Sequence, residues 1–149
     1  MKRRETLLAL VAIAGLMAAA PQPDSAIIVN SGSTNSIGFK ISVWSDGSAS
    51  AILQNREGTP AGKPKPFTVP AATTSRFFAD LAAARKANAT SVPCMKSVSF
   101  GTSTHITWQG WVSPDLDCPP KDASGDALVK DVEAIRQASG IPALPPRQP

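Results

Sequence analysis

From Phe39 to Trp44, apolar and polar residues take turns: Phe39, Ile41 and Val43 alternate with Lys40, Ser42 and Trp44. A period of two places the first set on one side of an extended chain, so the pattern predicts a half-buried strand. Asp46-Gly47 supplies a turn, and residues 38–53 read as a β-hairpin. A two-residue loop at Asp46-Gly47 would set Val43 opposite Ser50. A three-residue loop, Ser45-Asp46-Gly47, instead pairs Val43 with Ala49, Ile41 with Ala51 and Phe39 with Leu53. The longer loop keeps one face wholly apolar, with Gly47 left-handed, and is the expected register.

The same reading gives a second hairpin over residues 96–108. A three-residue turn at Gly101-Thr102-Ser103 would set Phe100 opposite Thr104, Val98 opposite Ile106 and His105 opposite Ser99. Gln109-Gly110 permits another reversal into a brief strand, residues 111–113, stopped by Pro114. A short strand is expected at residues 26–30, followed by a polar loop at 31–36. Residues 56–66, with three prolines and no periodicity, read as a loop; its Lys63 and Lys65 read as solvated charges.

Helical spacing appears twice. Thr74, Phe77, Phe78, Leu81 and Ala84 mark a helix over residues 70–87, opened by Pro70 and ended at Asn88, with Arg85 and Lys86 suiting its last turn. Leu128, Val132 and Ile135, with Val129 beside them, mark a helix from an Asp122 or Ser124 cap to about Ser139, with Gly140 at its end and Ile141 packing back. Asp126 and Lys130 have i,i+4 spacing. The resulting fold class is α+β: a two-layer sandwich, an antiparallel sheet of two hairpins (four to six strands) covered on one face by two helices, in ββαββα order.

The first twenty residues follow a different logic. Lys2, Arg3 and Arg4 precede an uncharged apolar run at residues 7–20, which then ends in small residues. This is the order of an export signal, and fourteen residues are fewer than the roughly 20 a spanning helix needs. Ala18 and Ala20 precede Pro21, a poor residue just after a cut; Ala26 is the other candidate, with Asp24 badly placed before it. The expected organisation is a cleaved signal and linker at 1–26, one domain at 27–141 and a proline-rich tail at 142–149. Periplasmic or secreted location follows, with no transmembrane span after cleavage.

Export changes two further readings. Three of fifteen cations and one of eleven acids lie in the signal, leaving twelve against ten and a net charge of +2. That is too mild to argue for nucleic acid. In an oxidising compartment, Cys94 and Cys118 read as a disulfide. With one histidine and no CxxC spacing, the sequence offers no usual zinc set, and neither a metal nor a cofactor is expected.

Candidate chemistry is sparse. Ser99 and His105 would sit side by side in the second hairpin, but a hydrolase also needs an orienting acid and an oxyanion hole. Asp115 and Asp117 are the available acids, and nothing in the spacing places them. No catalytic set is therefore assigned. Trp44 falls on the outward face near a hairpin tip, a common mark of a binding surface, and Trp111 follows a reversal. Trp44, His105 and Trp111 are the candidate binding residues. The expected function is binding of a protein or envelope component, with two alternatives: inhibition of an extracellular enzyme, or a small hydrolase using Ser99 and His105.

Overall fold

A computed structural model describes residues 23–142. The expected export signal, and the tail beyond Pro142, lie outside the described residues. β2 (Gly38–Trp44) and β3 (Ser48–Gln54) form the first hairpin in the expected register, with Val43 against Ala49, Ile41 against Ala51 and Phe39 against Leu53. Gly47 has φ +87° and donates to the Trp44 carbonyl at 2.9 Å. A Cβ there would stand 3.0 Å from the Val69 carbonyl oxygen, so the turn needs glycine for space as well as for conformation.

The sheet is antiparallel and six-stranded. β1 (Ser25–Asn30) lies between β2 and β5 (Thr104–Trp108); β4 (Lys65–Thr68) and β6 (Trp111–Val112) are the edges, giving the order β4-β3-β2-β1-β5-β6. The element order is therefore ββββαββα rather than ββαββα.

The second hairpin is corrected. Residues 96–100 form no strand, and the partner of β5 is β1, with Ile28 against Ile106 and Ala26 against Trp108. β1 supplies Ala26 and Ile28 on one side, both fully buried, so it extends the apolar face across the sheet. Before β5, Gly101 N–H donates to the Ser97 carbonyl at 2.7 Å and closes a turn. The reversal expected at Gly110 is present, joining β5 to β6 with Gln109 at φ 46° and Gly110 at φ 76°. Two left-handed residues are the signature of a type I′ turn.

β4 occupies the end of the expected loop. Val69 N–H bonds to Gly47 O, so Lys65 and Phe67 face β3 in the same phase, whereas Pro66 and Thr68 face outward. Pro66 has no N–H to offer, which blunts this edge against further strand pairing.

α1 (Ala71–Ala87) buries Thr74, Phe77, Leu81 and Ala84, and ends at Asn88 with φ 51°. α2 (Ala123–Ser139) opens with the Asp122 carboxylate accepting from Gly125 N–H at 2.9 Å and ends at Gly140, φ 74°. It buries Leu128, Val132 and Ile135, and Ile141 packs back on the core. The expected Asp126–Lys130 pair is not among the ion pairs of the described residues; α2 uses Glu133–Arg136 and an inter-helix bridge from Asp131 to Arg76 instead. Both helices share one core with Ile28, Phe39, Ile41, Val43 and Ile106.

Candidate functional site

With both helices over one face, no second layer among the described residues covers the other face of the sheet. Its side chains alternate with the core: Ile27 and Val29 from β1, Lys40, Ser42 and Trp44 from β2, Ile52 from β3, and His105 and Thr107 from β5. Cross-strand pairing puts Ile52, Lys40, Val29 and His105 in one row. Trp44 stands opposite Ser25, four residues along β2 from Lys40. Trp111 is on neither row; it pairs with Trp108 and packs against the core. The three candidate binding residues thus occupy separate places.

His105 lies opposite Val29, not Ser99, because β1 takes the position expected for residues 96–100. Its Nδ1 is 3.1 Å from the Ser113 carbonyl oxygen, which calls for a proton on that nitrogen. Ser99 is fastened elsewhere: its carbonyl accepts from Asn35 N–H at 3.0 Å and from the Ser33 hydroxyl at 2.9 Å. The two acids are also engaged. Asp117 Oδ2 accepts from the Thr102 hydroxyl at 2.5 Å. Asp115 accepts from Lys96 Nζ, Thr104 N–H and Asp117 N–H. Burial opposes ionisation of Asp115. Hydrogen bonds from Lys96, Asp117 N–H and Ser103, with the Lys96 charge, outweigh it and hold the carboxyl below its usual range.

These contacts fix a segment whose alternation predicts a strand. Residues 92–103 run over the end of the sheet with apolar side chains directed outward: Met95 is 96% exposed, Val98 76% and Phe100 49%. The backbone beneath them is held at many points. Cys94 is bonded to Cys118, and Val92 N–H donates to Pro119 O at 2.8 Å. Lys96 reaches under the loop to the Thr102 carbonyl, the Ser103 hydroxyl and Asp115. From the facing loop, Thr34 Oγ1 donates to Val98 O at 3.2 Å, beside the two bonds to Ser99. Ile37, 51% exposed, leaves that facing loop.

The sequence carried one signal for this loop: Val98 and Phe100 alternate as in a strand, yet no third apolar partner continues the pattern. Lys96 gave none, since a lone lysine reads as solvated until its acceptors are known.

Among the described residues, no group of three or more His, Cys, Asp and Glu side chains is placed to hold a metal ion. A hollow of about 310 Å³ lies between β3 and the end of α2, lined by Leu53, Ile141, Lys63 and Lys65 among others. No helix among the described residues is long and apolar enough to cross a membrane. In comparison with known proteins, no family model, no curated protein and no solved structure matches the chain.

Proposed function

We propose that this chain is an exported binding domain, not a catalyst, and that its partner-facing element is the loop 95–100. The observation that supports it is a fastened backbone carrying free apolar side chains. Large apolar groups exposed together on a loop are unfavourable in water unless something covers them. A loop already held by a disulfide, an ion pair and bonds from its neighbour loses little freedom when it docks, which favours tight association. The open sheet face with Trp44 and His105 is the second surface available to a partner.

Within this class, inhibition of an extracellular enzyme is favoured by the position of Met95. It follows disulfide-bonded Cys94 directly and is 96% exposed, so an adaptable apolar side chain protrudes from a pinned backbone position, suited to a cleft. Enzyme–inhibitor contacts of this kind bury about 1,600 Å² in total, within reach of one loop and its flanks.

The test is capture from culture fluid or envelope extract, with wild type beside a Met95→Ala/Phe100→Ser variant and a Trp44→Ala variant. Loss of capture by at least about tenfold in the loop variant alone, with folding intact, is expected. Loss in Trp44→Ala alone moves the site to the sheet face. No capture above background by wild type defeats the binding reading. The inhibitor reading requires the wild type, but not the loop variant, to slow hydrolysis by enzymes in the same fluid.

A further inference from the structure

The start of β1 bears on how the exported chain is trimmed. Asp24 precedes the strand, yet it makes several fixed contacts. Its Oδ2 accepts from Trp108 Nε1 at 2.8 Å and from Gln109 Nε2 at 3.0 Å. Its carbonyl accepts from Ser45 N–H at 2.8 Å, and its Oδ1 from Ser25 N–H at 2.9 Å. One residue therefore ties the β2–β3 turn to the β5–β6 turn across the end of β1. Two positions on, Ala26 is fully buried between Val43 and Trp108.

We propose that the signal is removed on the N-terminal side of Asp24, so that Asp24, Ser25 and Ala26 belong to the mature domain and the bond after Ala26 is not the processing site. The inference rests on the export reading above. The step is hydrolysis of one peptide bond, with water giving its hydroxyl to the new carboxyl end and its hydrogen to the new amine.

A signal peptidase meets its substrate before folding, so burial of Ala26 does not protect the bond that follows it. What decides is the consequence of the cut. Cleavage after Ala26 would remove the acceptor of the Trp108 indole N–H and the acceptor of Ser45 N–H. It would also strip Val43 and Trp108 of the residue packed between them. The local sequence agrees, since cleavage after Ala26 would put the charge of Asp24 where a small neutral side chain is needed. Ala18 and Ala20 supply small residues upstream, and Pro21-Gln22-Pro23 separates them from Asp24.

The full chain, expressed in an exporting host and recovered from outside the cytoplasm, is weighed intact and its N-terminal peptide sequenced. A first residue between Ala19 and Asp24 is expected. A first residue at Ser25 or later, Ile27 above all, overturns the proposal while leaving export intact. A chain that keeps Met1 and stays in the cytoplasm overturns the export reading, and the proposal with it.

Discussion

Asn30 ends β1 with a carboxamide sealed from water. Its Oδ1 accepts from Gly32 N–H at 2.9 Å, and its Nδ2 donates to the Thr104 hydroxyl at 2.8 Å and toward Asp117 at 3.4 Å. Its own carbonyl accepts from Gln54 Nε2 at 3.2 Å. One side chain thus joins β1, β5, the loop after β1 and the loop after β6. Asn30→Ala leaves Gly32 N–H and Thr104 without those partners, and is expected to cost about 2 kcal/mol, read as a lower urea midpoint. Asn30→Asp places a second carboxylate against Asp117, so it should cost more at pH 7 and recover part of the loss on acidification. A midpoint unmoved by either change would remove Asn30 from the account. None of this was legible in the sequence, where Asn30 reads only as the last residue of a short strand before a polar loop. The Thr104 and Asp117 partners are 74 and 87 residues away.

The two helices meet through charge as well as through the core. Asp131 on α2 is fully buried, and its Oδ1 accepts from Arg76 Nε on α1 at 2.6 Å. Among the described residues its Oδ2 has no hydrogen-bond partner. Burial, with the neighbouring Asp80 carboxyl, outweighs the pull of Arg76 and raises the Asp131 pKa to about 6. The folded value lies above the unfolded one, so the folded protein holds this proton where the unfolded chain has lost it. The stabilisation is therefore complete below about pH 4 and fades as pH rises through 6. Asp115, Asp122 and Glu133 have lowered values and act in the opposite sense, losing their contribution as pH falls. Asp131→Asn keeps an acceptor for Arg76 and adds a donor toward Asp80. The variant should lose most of the decline between pH 4 and 7 and be more stable than wild type at pH 7 by about 1 kcal/mol, measured by urea titration across pH. An unchanged slope would overturn this.

Legibility at the scale of elements follows the range of the forces involved. The β2–β3 register was readable because the turn and the buried face lie in one short segment. Both helices were readable because their periodicity and caps are local. β4 was missed because four residues containing a proline carry no period. Residues 96–100 were misread because alternation says that a segment could pair, not that a better partner, β1, exists elsewhere.

At the scale of the molecule, the Cys94–Cys118 bond divides the fold unevenly. Its loop, closed over a separation of 24 residues, contains β5, β6 and the exposed segment, whereas β1 to β4 and both helices lie outside it. On the chain-entropy estimate, closing such a loop stabilises the fold by about 3 kcal/mol. In the folded state, the local effect falls on residues 95–103, since β5 keeps its pairing with β1 and its side chains in the core. Replacing both cysteines by serine should therefore do two things. Global stability should fall by about 3 kcal/mol, and native-state hydrogen exchange at Ser99 and Gly101, whose amides donate to Ser97, should accelerate more than at the β2–β3 amides. Binding through the loop should weaken by more than the folded fraction explains, because a looser loop must be ordered on docking. Equal acceleration across the sheet would mean that the bond supports only the whole fold. Unchanged binding in the folded variant would mean that Lys96 and the facing Ser33–Asn35 loop suffice to hold the segment, and Lys96→Ala would then carry the loss instead.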